Sequence, residues 1–146
     1  MKQNDPEAVV AAFYTAWLAR DVPAMLAYIA NDMQLSQHFE DSALPFPGTT
    51  SGKDAFKARI EMIFADWSFD EARPKTLLAD ESTVRASCPF VLRHIATGET
   101  FEGTLRHVWR VREDRIFQCD EYLDVARLKA FLRLLGLPAN SADSAG

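Results

Sequence analysis

The chain has 146 residues, a formal net charge of −5 and a hydrophobic fraction of 48%. A chain of this length forms one domain by default, and it buries enough apolar surface to fold without a disulfide or a metal. The negative charge argues against a nucleic-acid partner, because phosphate binding needs a basic surface. No segment reaches the roughly 18 uninterrupted apolar residues of a membrane span, so we expect no membrane partner.

The N-terminal residues 1–6 lack the apolar core of a signal peptide. The two cysteines, Cys88 and Cys119, form neither a metal-binding motif nor a disulfide framework, and we interpret them as reduced thiols of a cytoplasmic protein. The three histidines lack the spacing of a metal site, and the sequence contains no glycine-rich phosphate loop. The sequence therefore predicts neither a metal nor a cofactor.

A first helix is predicted to begin at Asp5, because an aspartate before Pro6 suits an N-cap followed by proline at the first helical position. Apolar residues then recur at helical spacing as far as Trp17. Asp21 and Pro23 predict the start of a second helix.

A short strand is predicted over residues 33–39, where apolar residues alternate with polar ones. Residues 40–52 are rich in turn formers and predict a long loop that can serve as a lid or pocket rim. Ser51 and Asp54 have the spacing of a capping box, which predicts a third helix whose apolar stripe ends at Trp67.

From Phe69 onward the hydrophobic residues repeat with the period of a strand. Strands are predicted over residues 69–79, 83–95, 99–112 and 115–123. Their connections are too short for crossover helices, so neighbouring strands should pair antiparallel. Asp124 predicts the N-cap of a last helix that ends at Gly136 and Pro138, and residues 139–146 predict a flexible tail.

This order of elements predicts an α+β fold, in which a curved antiparallel sheet carries helices on one face. Such a sheet encloses an apolar pocket between itself and the helices. An apolar pocket in a domain of this size predicts a small hydrophobic ligand as the partner.

Several short motifs along the chain carry a family resemblance. They are FYTAW at 13–17, LPF at 44–46, SGKDAF at 51–56, VWRVR at 108–112 and EYLD at 121–124. In these motifs and their order, the chain resembles the nuclear transport factor 2-like superfamily, in its SnoaL-like branch. The resemblance implies one SnoaL-like domain over residues 1–138, a cone-shaped sheet with three N-terminal helices on its concave face and a C-terminal helix, and usually a homodimer.

The resemblance leaves the activity open, because the superfamily includes polyketide cyclases, isomerases, epoxide hydrolases and non-catalytic modules. Ketosteroid isomerisation is disfavoured, since the base would come from the strand at 33–39, which contains no carboxylate. Epoxide hydrolysis is disfavoured as well, because residues 88–92 lack the arginine and aspartate that this reaction needs on a mid-sheet strand.

Strand alternation predicts which side chains face the pocket. It places His107 inward with its apolar neighbours, and it favours Glu121 inward and Asp120 outward. Nine side chains are predicted to line the pocket: Trp17, Leu35, Phe39, Phe64, Cys88, Phe90, Trp109, Phe117 and Cys119. The opposite face of the sheet carries Arg85, Arg93, Arg106, Arg110 and Arg112, and the resemblance makes it a candidate homodimer surface.

Glu121 is the leading candidate for general acid/base catalysis, because a carboxyl group in an apolar pocket should have a raised pKa. His107 is predicted to lie nearly opposite Glu121 across the Glu113-Asp114 turn, where it can polarise a carbonyl group or shuttle a proton. Tyr14 is the nearest counterpart of the tyrosine that steroid isomerases of the superfamily use as an oxyanion donor.

A structural interpretation of the same residues stays open. Glu121 can be paired with an arginine or lie at the pocket rim, and His107 can be a core histidine with a backbone or tyrosine partner. Two functions are therefore weighed: a cofactor-independent cyclase or isomerase that acts on a hydrophobic carbonyl compound, and a non-catalytic ligand-binding or dimerisation module.

Overall fold

The computed structural model describes residues 5–38 and 48–137. Residue Phe39, most of the predicted loop and the predicted tail at 139–146 lie outside the described residues. The helices are α1 (Pro6–Leu18), α2 (Val22–Leu26), α3 (Lys53–Asp66) and α4 (Val125–Leu134). The strands are β1 (Ile29–Gln37), β2 (Gly48–Ser51), β3 (Trp67–Ala72), β4 (Lys75–Ala79), β5 (Thr83–His94), β6 (Thr100–Arg112) and β7 (Arg115–Tyr122). The predicted α+β class is confirmed.

The strands form one curved, unclosed sheet in the order β2-β1-β7-β6-β5-β3, with β4 also paired to β5. Neighbouring strands in this sheet run antiparallel, except that β1 and β7 run parallel. The antiparallel pairing predicted for the strands from residue 69 onward is confirmed. The parallel junction of β1 and β7, for which no pairing was predicted, is the one departure from an antiparallel sheet. β1 and β7 are separated by most of the chain, so no short turn requires them to be antiparallel.

The predicted aspartate caps begin three of the helices. The side chains of Asp5, Asp21 and Asp124 each accept a hydrogen bond from a backbone N–H in the first turn of the helix that follows. At the other end of α4, Gly136 has a φ of 74°, the left-handed conformation that commonly ends a helix.

The predicted capping box at the start of α3 is wrong. Ser51 is the last residue of β2, and Gly52, with a φ of 94°, precedes the helix without a side-chain cap. The sequence motif was ambiguous because β2 ends where the helix begins. The short β2 strand was itself missed, since its Gly-Thr-Thr-Ser sequence has no apolar alternation.

The single strand predicted over residues 69–79 is two strands, β3 and β4, which both pair antiparallel with β5. The break falls at Arg73 and Pro74. Proline has no backbone N–H to contribute to a strand ladder, so pairing is interrupted there.

A hairpin turn and a one-residue register shift together determine which residues of β6 and β7 face each other at the site. Glu113 and Asp114 both have positive φ, 52° and 62°, as a two-residue hairpin turn requires. Aspartate tolerates this left-handed conformation better than most residues. The antiparallel ladder that starts at this turn shifts by one residue between Val111 and Arg110. Beyond the shift it places His107 directly opposite Glu121, so the predicted proximity of the two residues is confirmed.

The core lies between the helices and the inner face of the sheet. Its most deeply buried side chains include Met25, Ile29, Met33, Phe56 and Ile116. Among the residues that the structure describes, no helix has the length and apolar character needed to cross a membrane.

Candidate active site

Two facing strands bring a carboxyl group and an imidazole together on the inner side of the sheet. His107 Nε2 lies 2.9 Å from Glu121 Oε2, and the two side chains are only 4% and 16% exposed. The paired register of β6 and β7, which includes a one-residue shift between Arg110 and Val111, places both side chains opposite each other on the same face.

The first helix supplies the third predicted residue. The Tyr14 hydroxyl lies 2.7 Å from His107 Nδ1, and the Trp109 indole N–H donates a hydrogen bond of 2.8 Å to the same hydroxyl oxygen. Tyr14, His107 and Glu121 therefore form one continuous row of hydrogen bonds, with Trp109 at its outer end.

The direction of these hydrogen bonds depends on the protonation of His107. When the ring is neutral with its proton on Nε2, Tyr14 donates to Nδ1 and Nε2–H donates to the Glu121 carboxylate. When both ring nitrogens are protonated, Nδ1–H donates to the Tyr14 oxygen. Because that oxygen also accepts from Trp109, the tyrosine proton is then available to a ligand.

Two residues that were not predicted from the sequence hold the other side of the carboxylate. Gln37 Nε2 donates a hydrogen bond of 2.9 Å to Glu121 Oε1, and Arg59 Nη1 donates to Gln37 Oε1. Gln37 is the last residue of β1 and is 6% exposed. Strand alternation puts Gln37 on the same face as Leu35, and this was the one available sequence signal.

The environment of Glu121 shifts its pKa in the direction opposite to the prediction. Burial acts to raise the pKa of Glu121, but the hydrogen bond and charge of His107, the hydrogen bond from Gln37 and the charge of Arg59 outweigh it. The pKa of Glu121 therefore lies below its ordinary value. The predicted rise is wrong because the prediction considered burial without the donors that reach the carboxylate from both sides.

The tyrosine and the two cysteines near the carboxylate stay protonated at neutral pH. Burial raises the pKa of the Tyr14 hydroxyl far above its ordinary value, so Tyr14 is a neutral hydrogen-bond donor. Burial also raises the pKa of Cys88 to about 11 and the pKa of Cys119 well above its usual value. Neither thiol has the lowered pKa of a reactive cysteine.

A cavity of about 100 Å³ lies between the helices and the inner face of the sheet. Six of the nine predicted ligand-contacting side chains line this cavity: Trp17, Leu35, Phe64, Phe90, Trp109 and Cys119. The polar side chains of Tyr14, Gln37, His107 and Glu121 reach the same wall, and most of the remaining lining is aromatic or aliphatic. The arrangement places titratable groups beside an apolar space.

The other three residues that were predicted to line the pocket are not among the cavity-lining side chains that the structure describes. Phe39 lies outside the described residues. Cys88 is fully buried but does not line the cavity. Phe117 lies under the guanidinium of Arg112, with 4.4 Å from the guanidinium carbon to the ring centroid, and its assignment to the cavity is wrong.

A strand irregularity explains the position of Phe117. The register of β6 and β7 shifts where Arg110 pairs with Gln118 and Val111 pairs with Ile116, so Phe117 has no partner of its own in the ladder. An extra residue of this kind reverses the faces on one side of it, and alternation counted back from Glu121 therefore fails there.

The residue before Glu121 points the other way. Asp120 Oδ1 lies 2.8 Å from His38 Nε2, whose ring stacks on Tyr122 with 4.6 Å between the centroids. His38 is 44% exposed and Tyr122 is 43% exposed. The predicted orientations of Asp120 outward and Glu121 inward therefore agree with the structure.

In the part of the chain that the structure describes, no group of three or more histidine, cysteine, aspartate or glutamate side chains can hold a metal ion. The groups that the structure brings together at the cavity wall, Tyr14, His107 and Glu121, are hydrogen-bonding and proton-carrying side chains.

Comparison of the sequence with protein families matches residues 10–119 to the SnoaL-like domain. The matched range includes Tyr14, Gln37, Arg59 and His107, and it ends two residues before Glu121. No curated protein matches the sequence.

Solved structures share the fold over most of their length. A nuclear transport factor 2-like protein from Burkholderia xenovorans has a TM-score of 0.72 and 23% identity, with 89% of this chain and 97% of that chain covered. A candidate isomerase from Bacillus subtilis has a TM-score of 0.75 and 17% identity, with 86% and 90% covered. A candidate polyketide cyclase from Pseudomonas putida has a TM-score of 0.69 and 19% identity, with 84% and 93% covered. At these identities the likeness shows the fold alone.

Proposed function

The chain belongs to the SnoaL-like domain family, and from this premise we propose that it is a cofactor-independent enzyme that moves protons next to the carbonyl group of a small hydrophobic compound, as a cyclase or isomerase does. One observation carries the proposal: an unbroken row of hydrogen bonds runs from Tyr14 through His107 to Glu121 along the wall of an apolar cavity. The names of two similar structures, a candidate cyclase and a candidate isomerase, are in keeping with it.

In the proposed reaction Glu121 removes a proton from the carbon next to the carbonyl group. The C–H bond breaks, the proton passes to a carboxylate oxygen, and the electron pair becomes that of an enolate. In an isomerase the proton returns from Glu121 to another carbon. In a cyclase the enolate carbon forms a bond to a second carbonyl carbon, the π bond of that carbonyl group breaks, and the resulting alkoxide takes the proton from Glu121. A positioned acid/base residue of this kind contributes roughly 10²–10⁴-fold to a rate.

Tyr14 is the proposed donor to the enolate oxygen. Burial keeps its hydroxyl protonated, so it can stabilise the developing negative charge by a hydrogen bond without losing its proton. His107 connects the two ends of the row. A proton on both of its nitrogens turns the tyrosine hydrogen away from the ring and toward the ligand.

The cavity limits the size of the proposed substrate. Its volume of about 100 Å³ is below the roughly 300 Å³ at which pockets for drug-sized ligands begin. We therefore expect a compact carbonyl compound instead of a steroid or a multi-ring polyketide.

A non-catalytic ligand-binding or dimerisation module is the second candidate. Two observations favour it: the small cavity, and the fact that each ring nitrogen of His107 already has a hydrogen-bond partner. A fully satisfied buried network can serve only to specify the core. The two candidates differ in whether a bound carbonyl compound exchanges its protons.

The test is hydrogen–deuterium exchange of compact cyclic ketones in D₂O, followed by proton NMR. The wild-type protein should accelerate exchange next to the carbonyl group, and Glu121→Gln should lose most of this acceleration. Glu61→Gln is the matched control, because Glu61 lies on the exposed side of α3 and should leave exchange unchanged. Exchange that is no faster with wild-type protein than with Glu121→Gln would support the non-catalytic module.

We also propose a homodimer formed through the outer face of the sheet, and a cytoplasmic location. The outer face combines exposed arginines with the partly exposed Val108 and Tyr122, a mixture that suits a protein interface. Cys88 and Cys119 are both unpaired and buried, as suits a reducing compartment. Sedimentation velocity on Tyr122→Glu should show a monomer if this face forms the dimer.

A further inference from the structure

Besides His107, the Glu121 carboxylate has a second set of hydrogen-bonded neighbours, which come from elements distant in sequence. Gln37 is paired with Glu121 in the parallel ladder of β1 and β7, and Arg59 reaches Gln37 from α3. An arginine can only donate hydrogen bonds, so the Gln37 amide must turn its oxygen toward Arg59. Its NH₂ group is thereby directed at Glu121 Oε1.

We propose that Gln37 and Arg59 are positioning residues that hold the Glu121 carboxylate ionised and oriented, so that the reaction begins with proton abstraction by Glu121 from an uncharged carbon acid. This inference rests on the proposed function, and it adds the role of the carboxylate, the residues that enforce that role and the charge of the substrate.

The hydrogen-bond chemistry of the carboxylate leads to this role. Gln37 donates to one carboxylate oxygen, and His107 donates to the other when its Nε2 carries a proton. Two donors favour the charged form of a carboxyl group. A proton on either oxygen would compete with one of these donors. Each oxygen keeps a further lone pair, which can accept the proton of a bound carbon acid.

The tyrosine and the two thiols around Glu121 do not supply a competing acid. The neighbouring polar side chains are Tyr14 of α1, Cys88 of β5, His107 of β6 and Cys119 of β7. The tyrosine and both thiols have raised pKa values and stay neutral. α4 faces the cavity with the apolar Leu128 and Leu132. The charge of Arg59 on α3 acts to lower the pKa of Glu121.

The ionised carboxylate also restricts the substrate. An anionic ligand in this apolar cavity would lie close to a negative charge in a region of low dielectric, where like charges repel strongly. A neutral ketone or diketone with an acidic C–H group meets no such repulsion, and its protons are the ones that a carboxylate base removes.

The experiment measures the protonation of Glu121 directly. The protein is labelled with ¹³C at the glutamate side-chain carboxyl carbon, and the Glu121 signal is assigned by its loss in Glu121→Gln. The pH midpoint of that signal is then compared in wild type, Gln37→Leu, Arg59→Met and Arg59→Lys. Arg106→Met is the matched control, because Arg106 is exposed on the opposite face beside His107 and its loss removes the same charge.

We expect the midpoint to move upward in Gln37→Leu and in Arg59→Met relative to Arg106→Met, and to be partly restored in Arg59→Lys. Midpoints in both variants equal to that of Arg106→Met would overturn the inference. If Gln37→Leu fails to fold, the Arg59 variants decide alone, because the half-buried Arg59 lies at the edge of the core.

The pH midpoint of the Glu121 ¹³C signal can be measured whether or not the protein catalyses exchange. Its outcome is therefore independent of the exchange experiment. An upward shift without any Glu121-dependent exchange would retain the positioning of the carboxylate and reject its use as a base. An unshifted midpoint with Glu121-dependent exchange would retain the enzyme and reject the role of Gln37 and Arg59. With both effects present, the acidic limb of the pH profile of kcat/KM should move upward in Arg59→Met.

Discussion

Two carboxyl–histidine pairs lie on opposite faces of the sheet, and they start from consecutive residues of β7. Asp120 contacts His38 at 2.8 Å, and Glu121 contacts His107 at 2.9 Å. The carboxylate side chains are similarly exposed, at 19% and 16%, but the histidines differ, at 44% for His38 and 4% for His107. The two pairs therefore differ in the surroundings of the histidine and not in the contact itself.

Those surroundings determine what each pair can do. His38 stacks on the exposed Tyr122, and the solvent around it screens its charge. His107 has hydrogen bonds on both ring nitrogens, to Tyr14 and to Glu121, in a region from which water is largely excluded. A short distance between a carboxylate and a histidine is thus a weak indication of a site, whereas a buried pair that continues into further polar residues is a stronger one.

The largest expected difference between the two pairs is in catalysis. Glu121→Gln should lower ketone exchange by roughly 10²–10⁴-fold, because it removes the proposed base while keeping the shape of the side chain. Asp120→Asn should leave exchange near the wild-type rate, since Asp120 points away from the cavity. Proton NMR in D₂O measures both, and an equal loss in the two variants would contradict the assignment of the base to the inner face.

The next largest difference should appear in stability. His107→Ala removes one buried partner from the Tyr14 hydroxyl, which keeps Trp109, and one from the Glu121 carboxylate, which keeps Gln37. We expect a loss of roughly 3 kcal/mol in the free energy of unfolding. His38→Ala should cost less than about 1 kcal/mol, as is usual for exposed pairs. Urea denaturation compares the two variants, and similar losses would mean that burial does not distinguish the pairs.

A smaller effect on stability is expected at Trp109, which lies at the end of the hydrogen-bonded row of Tyr14, His107 and Glu121. Trp109→Phe removes the indole N–H that donates to Tyr14 and should destabilise the protein by about 1–2 kcal/mol. Trp67→Phe is the matched control, because Trp67 is a buried tryptophan of the same core and its change tests the loss of ring size. The hydrogen bond has no separate contribution if Trp109→Phe is the less destabilising of the two.

The smallest effect is a change of stability with pH. The pKa of Glu121 is lowered in the folded protein, so its ionisation contributes stability above the ordinary glutamate pKa, and this contribution is lost as the pH falls through the lowered pKa. The difference in unfolding free energy between wild type and Glu121→Gln should therefore shrink below about pH 4.3. A difference that grows on acidification would indicate a raised pKa.

The residues that sequence reasoning recovered share a local cause. His107 and Glu121 lie on one hairpin, so the sequence predicts that they are close. Counting from the turn alone pairs His107 with Asp120, and the one-residue register shift at Phe117 makes Glu121 the partner. The same reasoning placed Asp120 outward. It failed at Phe117, because one extra residue in a strand leaves no mark in the hydrophobic pattern.

Gln37 and Arg59 were missed because their contacts are not local. Gln37 is separated from Glu121 by 84 positions and from Arg59 by 22. No periodicity relates residues across such distances. The direction of the Glu121 pKa shift was missed for the same reason, since it depends on donors from other elements.

The sequence by itself determined the order of the helices and long strands, three of the four helix caps, the inward faces of His107 and Glu121 and the hairpin that joins their strands, because each depends on residues that are close along the chain. Only the tertiary structure decided that β1 runs parallel to β7, that α1 brings Tyr14 to His107, and that α3 brings Arg59 to Gln37. Those contacts depend on how whole elements pack, and packing is a property of the folded chain as a whole.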